Sequence, residues 1–155
     1  MSIPATPRLA VIGGGPAGLM AAETARAAGV EVDLYDAMGS VGRKFLLAGK
    51  GGLNLTHGEA PDRFVARYGA RQAEVGRWLA AFDAPALRAW AAELGVATFV
   101  GSSGRVFPQD LKAAPLLRRW VRRVRDAGVG FHMHHRWLGW QADGALRFAR
   151  RRESG

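Results

Sequence analysis

Three glycines with the spacing G-x-G-x-x-G, namely Gly13, Gly15 and Gly18, constrain the fold of this chain more than any other feature. They follow segment 8–13, whose apolar residues predict a short buried strand, and they lead into segment 16–29, which predicts a helix. In that setting the first glycine permits a tight turn, the second lets the backbone approach a phosphate, and the third lets helix and strand pack closely. The free N–H groups at the helix start favour an anion. We therefore predict a dinucleotide-binding strand–helix unit.

A second strand completes this unit. Val30, Val32 and Leu34 alternate with more polar neighbours over segment 30–36, which is the pattern of a strand. Asp36 closes that strand, at the point where a carboxylate can accept hydrogen bonds from the hydroxyl groups of a ribose. The sequence up to Asp36 thus predicts a βαβ unit.

The rest of the chain alternates between helical and extended patterns. Segment 61–95 predicts helices, one of them capped by Asp83. The tryptophans on these amphipathic patterns and on the next one, Trp78, Trp90 and Trp120, are predicted core residues. The remaining predicted elements are two strands within 97–108, a helix over 112–128, and strands over 129–135, 136–141 and 145–148.

Composition excludes several classes of protein. Hydrophobic residues make up 48% of the 155 residues, which predicts a folded core rather than a disordered chain. The chain has no cysteine, which excludes disulfides and cysteine-ligated zinc and fits a reducing cytoplasm. We see no secretory signal and no apolar stretch long enough for a membrane span, so we expect a cytoplasmic protein without a membrane partner.

The net charge of +9 is carried entirely by residues 61–155, and a basic half admits a second interpretation, a nucleic-acid-binding or interaction module. However, the arginines of segment 112–128 avoid the apolar face formed by its leucines, valines and tryptophan. A solvated helix face is therefore the favoured interpretation, with no nucleic acid as partner.

The histidines offer two further candidate sites. His132 and His134 would share one face of a strand, but no carboxylate or cysteine is near them in sequence, so we predict no metal site. His57 ends a glycine-rich segment. It is either a proton donor near a cofactor or, the favoured alternative, a residue that hydrogen-bonds its own loop. No residue is assigned a catalytic role.

The segment after Asp36 indicates how long the cofactor is. A simple NAD domain would continue with another strand–helix unit, whereas here the glycine-rich segment 42–57 follows, and a long insertion comes before the next strand that is preceded by a helix. Such an insertion suits a cofactor that extends well beyond its adenosine.

Three stretches together resemble one known family: "VIGGGPAGLMAAE", "GRKFLLAGKGGLNLTH" and "SSGRVFP" followed by "LKAAPLLRRW". They are similar to the YhiN/BaiN-type flavoproteins, which include aminoacetone-oxidase-like FAD-binding enzymes and NAD(FAD)-utilizing dehydrogenases. The resemblance covers residues 8–148, and its second stretch is the most specific.

The resemblance implies FAD as cofactor, NAD(P)H as an admissible electron donor, and a small-molecule substrate for a flavin-dependent oxidoreductase. It also implies how the cofactor is held: the glycine motif on the pyrophosphate, Asp36 on the adenosine ribose, Arg43 and Lys44 on the adenine–ribose side, and the Gly49–Thr56 loop toward the flavin. The residues implied to bind the cofactor are Gly13, Gly14, Gly15, Pro16, Ala17, Gly18, Asp36, Gly42, Arg43, Lys44, Gly51, Asn54 and Thr56.

The expected architecture is α/β, a glutathione-reductase-type Rossmann FAD-binding domain. We expect one such domain over 1–155, incomplete at its C-terminus because relatives are longer. Its expected parts are a βαβ unit and flavin loop (1–58), a mainly helical insertion (59–110), and a helix with a β-meander (111–155). The sequence departs from the family at Asp36, where many flavoproteins have Glu, and at Lys50 and Leu53, where relatives often have Gly and Cys.

Overall fold

The computed structural model describes residues 6–150 and has an α/β architecture. Its helices are α1 (Pro16–Ala27), α2 (Arg43–Ala48), α3 (Pro61–Ala66), α4 (Gln72–Ala81), α5 (Ala84–Glu93) and α6 (Ala113–Asp126). Its strands are β1 (Arg8–Ile12), β2 (Glu31–Tyr35), β3 (Thr56–His57), β4 (Thr98–Val100), β5 (Arg105–Pro108), β6 (Gly130–His132), β7 (His135–Trp140) and β8 (Leu146–Arg150). The chain divides into two compact units, one reaching to Phe45 and resuming at Leu117, the other spanning Leu46–Leu116.

The first unit contains the predicted βαβ. β1 and β2 pair in parallel, with Val11 opposite Leu34, and α1 connects them. Pro16 stands in the first turn of α1, where its missing N–H costs nothing, and Leu19 and Ala22 bury one face of the helix. The predicted parallel Rossmann-type sheet is confirmed.

Helix α6 shows the predicted separation of apolar and basic faces. Leu116, Leu117, Trp120 and Val124 are buried, while most of the arginines on this helix are exposed. The indole N–H of Trp120 donates to the Glu23 carboxylate over 2.7 Å. The apolar face is thus used in packing, as the sequence predicts.

The last three strands differ from the expected β-meander. β6 pairs in parallel with β2, so the first unit has a three-stranded parallel sheet in the order β1-β2-β6. Only β7 and β8 pair antiparallel with each other. The chain turns between β6 and β7, where His134 has a positive φ of 60°, and this turn divides the segment 129–135 that the sequence predicts as one strand. A helix such as α6 immediately before β6 supplies the crossover that parallel pairing needs.

The second unit combines α3, α4 and α5 with a small antiparallel sheet in the order β3-β5-β4. Asp83 caps α5 as predicted, because its Oδ1 accepts a 2.8 Å hydrogen bond from the N–H of Ala86. Trp90 is buried, but Trp78 is 68% exposed, so its assignment to the core is wrong. The cavity-lining face of α4 carries Gly76 and Leu79, and the Trp78 side chain lies outside it.

The segment expected as one glycine loop begins with a helix. Residues 43–48, "RKFLLA", are good helix formers and make up α2, and the glycines that follow form a 3₁₀ turn, Gly49–Gly51. None of the helices within residues 6–150 has the length and apolar character needed to cross a membrane.

Candidate dinucleotide-binding site

The turn between β1 and α1 can be made only by glycine at two positions. Gly13 has φ +104°, in the region that side chains disfavour, and its N–H donates to the carbonyl of Tyr35 over 2.8 Å. A Cβ on Gly18 would overlap the carbonyl oxygen of Gly13. The turn and the close helix–strand packing expected of the motif are therefore both present.

The space next to Gly15, at the start of α1, is open. It is the N-cap of the helix, and a Cβ placed on it would meet no protein atom within 4 Å. No side chain caps this end of α1, and Pro16 contributes no N–H. The first turn thus offers backbone donors and the positive end of the helix dipole to a ligand. These features fit a diphosphate, which is the group that the motif predicts here.

Asp36 lies beside this turn and holds it. Its Oδ2 accepts a 2.6 Å hydrogen bond from the N–H of Gly14, and its Oδ1 accepts one of 2.7 Å from the N–H of Met38. Each carboxylate oxygen can accept a further hydrogen bond, so a ribose hydroxyl can still be bound. The sequence predicts the ribose contact alone. The structure adds that the same side chain joins the glycine turn to the segment that follows β2.

The residues after β2 close over Gly14. The N–H of Gly42 donates to the carbonyl of Gly14 over 2.8 Å, and a Cβ on Gly14 would overlap the side chain of Val41. Val41 is buried, and sequence reasoning missed it because a lone valine in a glycine-rich stretch carries no motif. Gly42 itself has φ +70° and packs against Leu117, so a side chain there would be strained and would clash.

The two basic residues predicted to bind the adenine–ribose side of the cofactor come directly after Gly42. Arg43 and Lys44 form the exposed first turn of α2. Within residues 6–150, no carboxylate pairs with either of them. Both side chains are therefore free to meet an anionic ligand.

The other predicted ligands of the cofactor belong to the second unit. Gly51 and Asn54 are exposed, and Thr56 lies in β3 opposite Val106 of β5. The segment that carries them is fixed by backbone hydrogen bonds: Leu53 N–H donates to the Leu111 carbonyl and Leu55 N–H to the Val106 carbonyl, each over 2.9 Å. Their contact with the flavin stays a prediction.

His57 uses both ring nitrogens within its own unit. Its Nδ1 accepts a 3.2 Å hydrogen bond from the N–H of Glu59, and its Nε2 lies 3.1 Å from the carbonyl oxygen of Ser103. Because a carbonyl oxygen only accepts, Nε2 is the donor in its contact with Ser103, and Glu59 Oε1 lies 3.5 Å from Nδ1. This geometry supports the loop-bonding role rather than that of a proton donor.

An aromatic cluster lies at the carboxyl ends of β2 and β6, and sequence reasoning missed it. Tyr35 stacks between His132 and Phe148, with ring centroids 4.5 and 4.4 Å away. His132 Nε2 also lies 2.7 Å from Asp33 Oδ1. The hydrogen bond from His132 lowers the pKa of the Asp33 carboxyl from its ordinary 3.8, assisted by the positive charges of His132 and Arg8. Residues 6–150 contain no cluster of three or more metal-binding side chains.

Comparison with known proteins decides the family. The sequence profile described as "HI0933-like protein Rossmann domain" matches residues 7–154, nearly the whole chain. The chain belongs to the HI0933-like family. This family is the YhiN/BaiN-type flavoprotein family that the sequence motifs resemble, so that expectation is confirmed. No functionally curated protein matches the HI0933-like chain in sequence.

Solved structures share the fold of the HI0933-like chain at low sequence identity. The 3-ketosteroid-Δ4-(5α)-dehydrogenase of Rhodococcus jostii RHA1 has a TM-score of 0.68 at 15% identity, over 96% of this chain and 44% of that one. A flavocytochrome c3 fumarate reductase has 0.57 at 16%, over 88% and 28%. THI4 of Thermovibrio ammonificans has 0.52 at 18%, over 92% and 45%. The chain thus spans less than half the length of these proteins, and the similarity shows the fold alone.

Proposed function

We propose that this chain binds FAD and forms the FAD-binding part of a flavin-dependent oxidoreductase that acts on a small molecule. The observation that carries the proposal is the open, uncapped start of α1 at Gly15, framed by the tight turn at Gly13 and the close packing at Gly18. This is the geometry that a pyrophosphate needs, and it occurs in a chain of a flavoprotein family.

The backbone would hold the pyrophosphate. The loop from Gly13 to Gly15 brings the chain close to the phosphates without side chains in the way, and the first turn of α1, with Pro16 and Ala17, presents its N-terminal dipole. The contribution of the protein at this end is therefore binding and orientation, from a turn that the Asp36–Gly14 hydrogen bond holds in place.

The adenosine end would be read by side chains. The second lone pairs of the Asp36 carboxylate are available to ribose hydroxyls. Arg43 and Lys44, exposed and without carboxylate partners among the described residues, would face the adenine–ribose side and the negative charge of the phosphates.

We propose that residues of the second unit bind the flavin end of the cofactor, with Gly51, Asn54 and Thr56 as ligands. Asn54 and Thr56 can donate and accept hydrogen bonds, and Gly51 leaves the backbone accessible. FAD when bound supplies the redox chemistry, with NAD(P)H as the proposed electron donor. His57 is proposed to orient its loop through both ring nitrogens, in preference to a role as proton donor.

The alternative is a basic nucleic-acid-binding or interaction module. Several arginines of α6 have partners within the first unit: Arg123 pairs with Glu23 over 2.6 Å, Arg122 lies 3.6 Å from Asp126, and the Arg125 guanidinium stands 4.9 Å from the centre of the Phe131 ring. These contacts favour the interpretation as a solvated, structurally used face, so we retain the flavin proposal.

Parallel titrations with FAD and with a single-stranded oligonucleotide discriminate between the two functions. We expect the fluorescence of FAD to be quenched when it binds. Its affinity should change little in moderate salt, and ADP should displace it. Oligonucleotide binding that falls steeply with salt, combined with no FAD binding, would support the alternative instead. Anaerobic mixing of the FAD-loaded chain with NADH or NADPH then tests the donor, because reduction bleaches the flavin absorbance.

A further inference from the structure

The second unit contains a cavity that the flavin proposal does not use. It has a volume of about 1010 Å³ and is enclosed by α3, α4 and α5 on one side and by strands of the small sheet on the other. This is the size of a typical small-molecule site, roughly 300–1,000 Å³. Its walls are mainly apolar, with contributions from Phe64, Val65, Leu79, Val100 and Val106. Such a lining selects a ligand with an apolar body.

One cation on the cavity wall has no anion to offset it. Arg88 of α5 is part-buried; its Nε donates to Thr98 Oγ1 over 2.9 Å and its Nη2 to the Thr98 carbonyl over 3.3 Å. Throughout residues 6–150, no Asp or Glu forms an ion pair with Arg88. A partly desolvated guanidinium normally has an acidic partner, and Thr98 supplies only neutral acceptors.

None of the acids on the same wall forms an ion pair with Arg88 among the described residues. Glu59 pairs with Arg67 outside the cavity lining, with Nε and Oε1 separated by 2.5 Å. Asp83 Oδ1 caps the N-terminus of α5. Asp62 is exposed in the first turn of α3, where the helix dipole favours its charge. Among residues 6–150, Arg88 is therefore a cation of the cavity lining that has no carboxylate partner.

We propose that this cavity binds a small apolar molecule that carries a carboxylate, with the carboxylate on Arg88 and the apolar body between α4, α5 and the sheet. Arg88 is suited to this role because its planar fork matches a carboxylate and because Thr98 holds two of its nitrogens in position. The proposal does not involve the proposed flavin ligands, because Gly51, Asn54 and Thr56 are not among the residues that line the cavity.

Calorimetric titration of the 155-residue chain with decanoate, decylamine and acetate tests the proposal. Decanoate should bind, decylamine should bind far more weakly because it places a second cation beside Arg88, and acetate should not bind measurably because it has no apolar body. Arg88→Met keeps an unbranched, flexible side chain but removes the guanidinium, and it should weaken decanoate binding by about tenfold or more, the loss expected for a charged hydrogen bond. Arg77→Met, an exposed change on α4 outside the cavity lining, should leave binding unchanged.

Two further measurements keep the test decisive. Ala80→Trp places a bulky side chain on the cavity lining and leaves Arg88 and Thr98 in the sequence, so it should weaken decanoate binding strongly even if Arg88→Met fails to fold. FAD affinity of the folded variants should equal that of the wild type, which separates this site from the flavin site. Decanoate binding that survives either substitution in a folded variant, decylamine binding as tight as decanoate, or a folded wild type that ignores decanoate would overturn the proposal.

Discussion

The backbone N–H of Gly14 donates a 2.6 Å hydrogen bond to the carboxylate of Asp36. Because Asp36 directly follows β2, this bond ties the end of β2 to the glycine turn that precedes α1. Gly14 is a buried residue, and a backbone N–H that loses its partner in such a place is costly. Asp36 therefore has a role in folding as well as its proposed role in binding ribose, and both roles depend on one side chain.

Substitution of Asp36 should reduce stability and cofactor affinity together. Asp36→Ala leaves the buried Gly14 N–H unpaired, which should lower the free energy of unfolding by about 1–3 kcal/mol. Chemical denaturation measures this loss, and FAD titration of the folded variant measures the loss of the ribose contact. Asp143→Ala is the matched control, because Asp143 also accepts a backbone hydrogen bond, from Ala145, but at an exposed turn. A variant as stable as this control would remove Asp36 from the structural role.

Substitution by alanine should affect cofactor affinity at Gly15 and stability at Gly18. Gly15→Ala introduces a Cβ where no protein atom lies within 4 Å, so thermal stability should be retained while FAD affinity falls, because the methyl group enters the proposed phosphate space. Gly18→Ala should destabilise the fold, although alanine favours a helix by about 1 kcal/mol, since its Cβ would overlap the Gly13 carbonyl. Thermal melts with and without FAD separate the two effects. Equal stability losses in both variants would contradict the assignment.

The Asp33–His132 pair should add to stability only above acidic pH. The pKa of Asp33 is lowered in the folded chain by the hydrogen bond from His132, so the unfolded chain binds more protons near and below pH 3.8. This contribution is complete above the unfolded pKa and is lost as pH falls through the lower folded value. Relative to Asp33→Asn, the wild type should be more stable at pH 6 and lose that advantage as the pH falls below 3.8. Melting temperatures of both proteins across this range provide the test, and a constant difference would refute it.

The local parts of the fold could be predicted from sequence, whereas the long-range parts could not. The βαβ unit, the Asp83 cap and the apolar face of α6 depend on residues close in sequence, and they were predicted correctly. The pairing of β6 with β2 joins segments about a hundred residues apart, and nothing local distinguishes it from a meander. Trp78 was misassigned for the same reason, because an amphipathic pattern does not reveal which helix face finds a neighbour.

The candidate site shows the same division. The glycine motif and Asp36 could be found from spacing, and Gly42 from the family resemblance, but the closure of Val41 over Gly14 and the stacking of Tyr35 between His132 and Phe148 depend on tertiary contacts. The contact of His132 with Asp33, over 2.7 Å, likewise joins residues far apart in sequence. The spacing of residues in the sequence identifies those whose role depends on the local backbone. Residues whose role depends on packing are identified only by the tertiary structure.

The central claim is that the first unit recognises the adenosine diphosphate half of FAD. The most direct measurement is a calorimetric titration of the chain with FAD, repeated in the presence of excess ADP or excess FMN, with NAD titrated in parallel. The central claim predicts that FAD binds, that ADP competes with it, and that FMN does not. NAD carries the same adenosine diphosphate half, so the tighter binding that we expect for FAD depends on the proposed flavin ligands. Binding of NAD without binding of FAD, or displacement of FAD by FMN rather than by ADP, would contradict it.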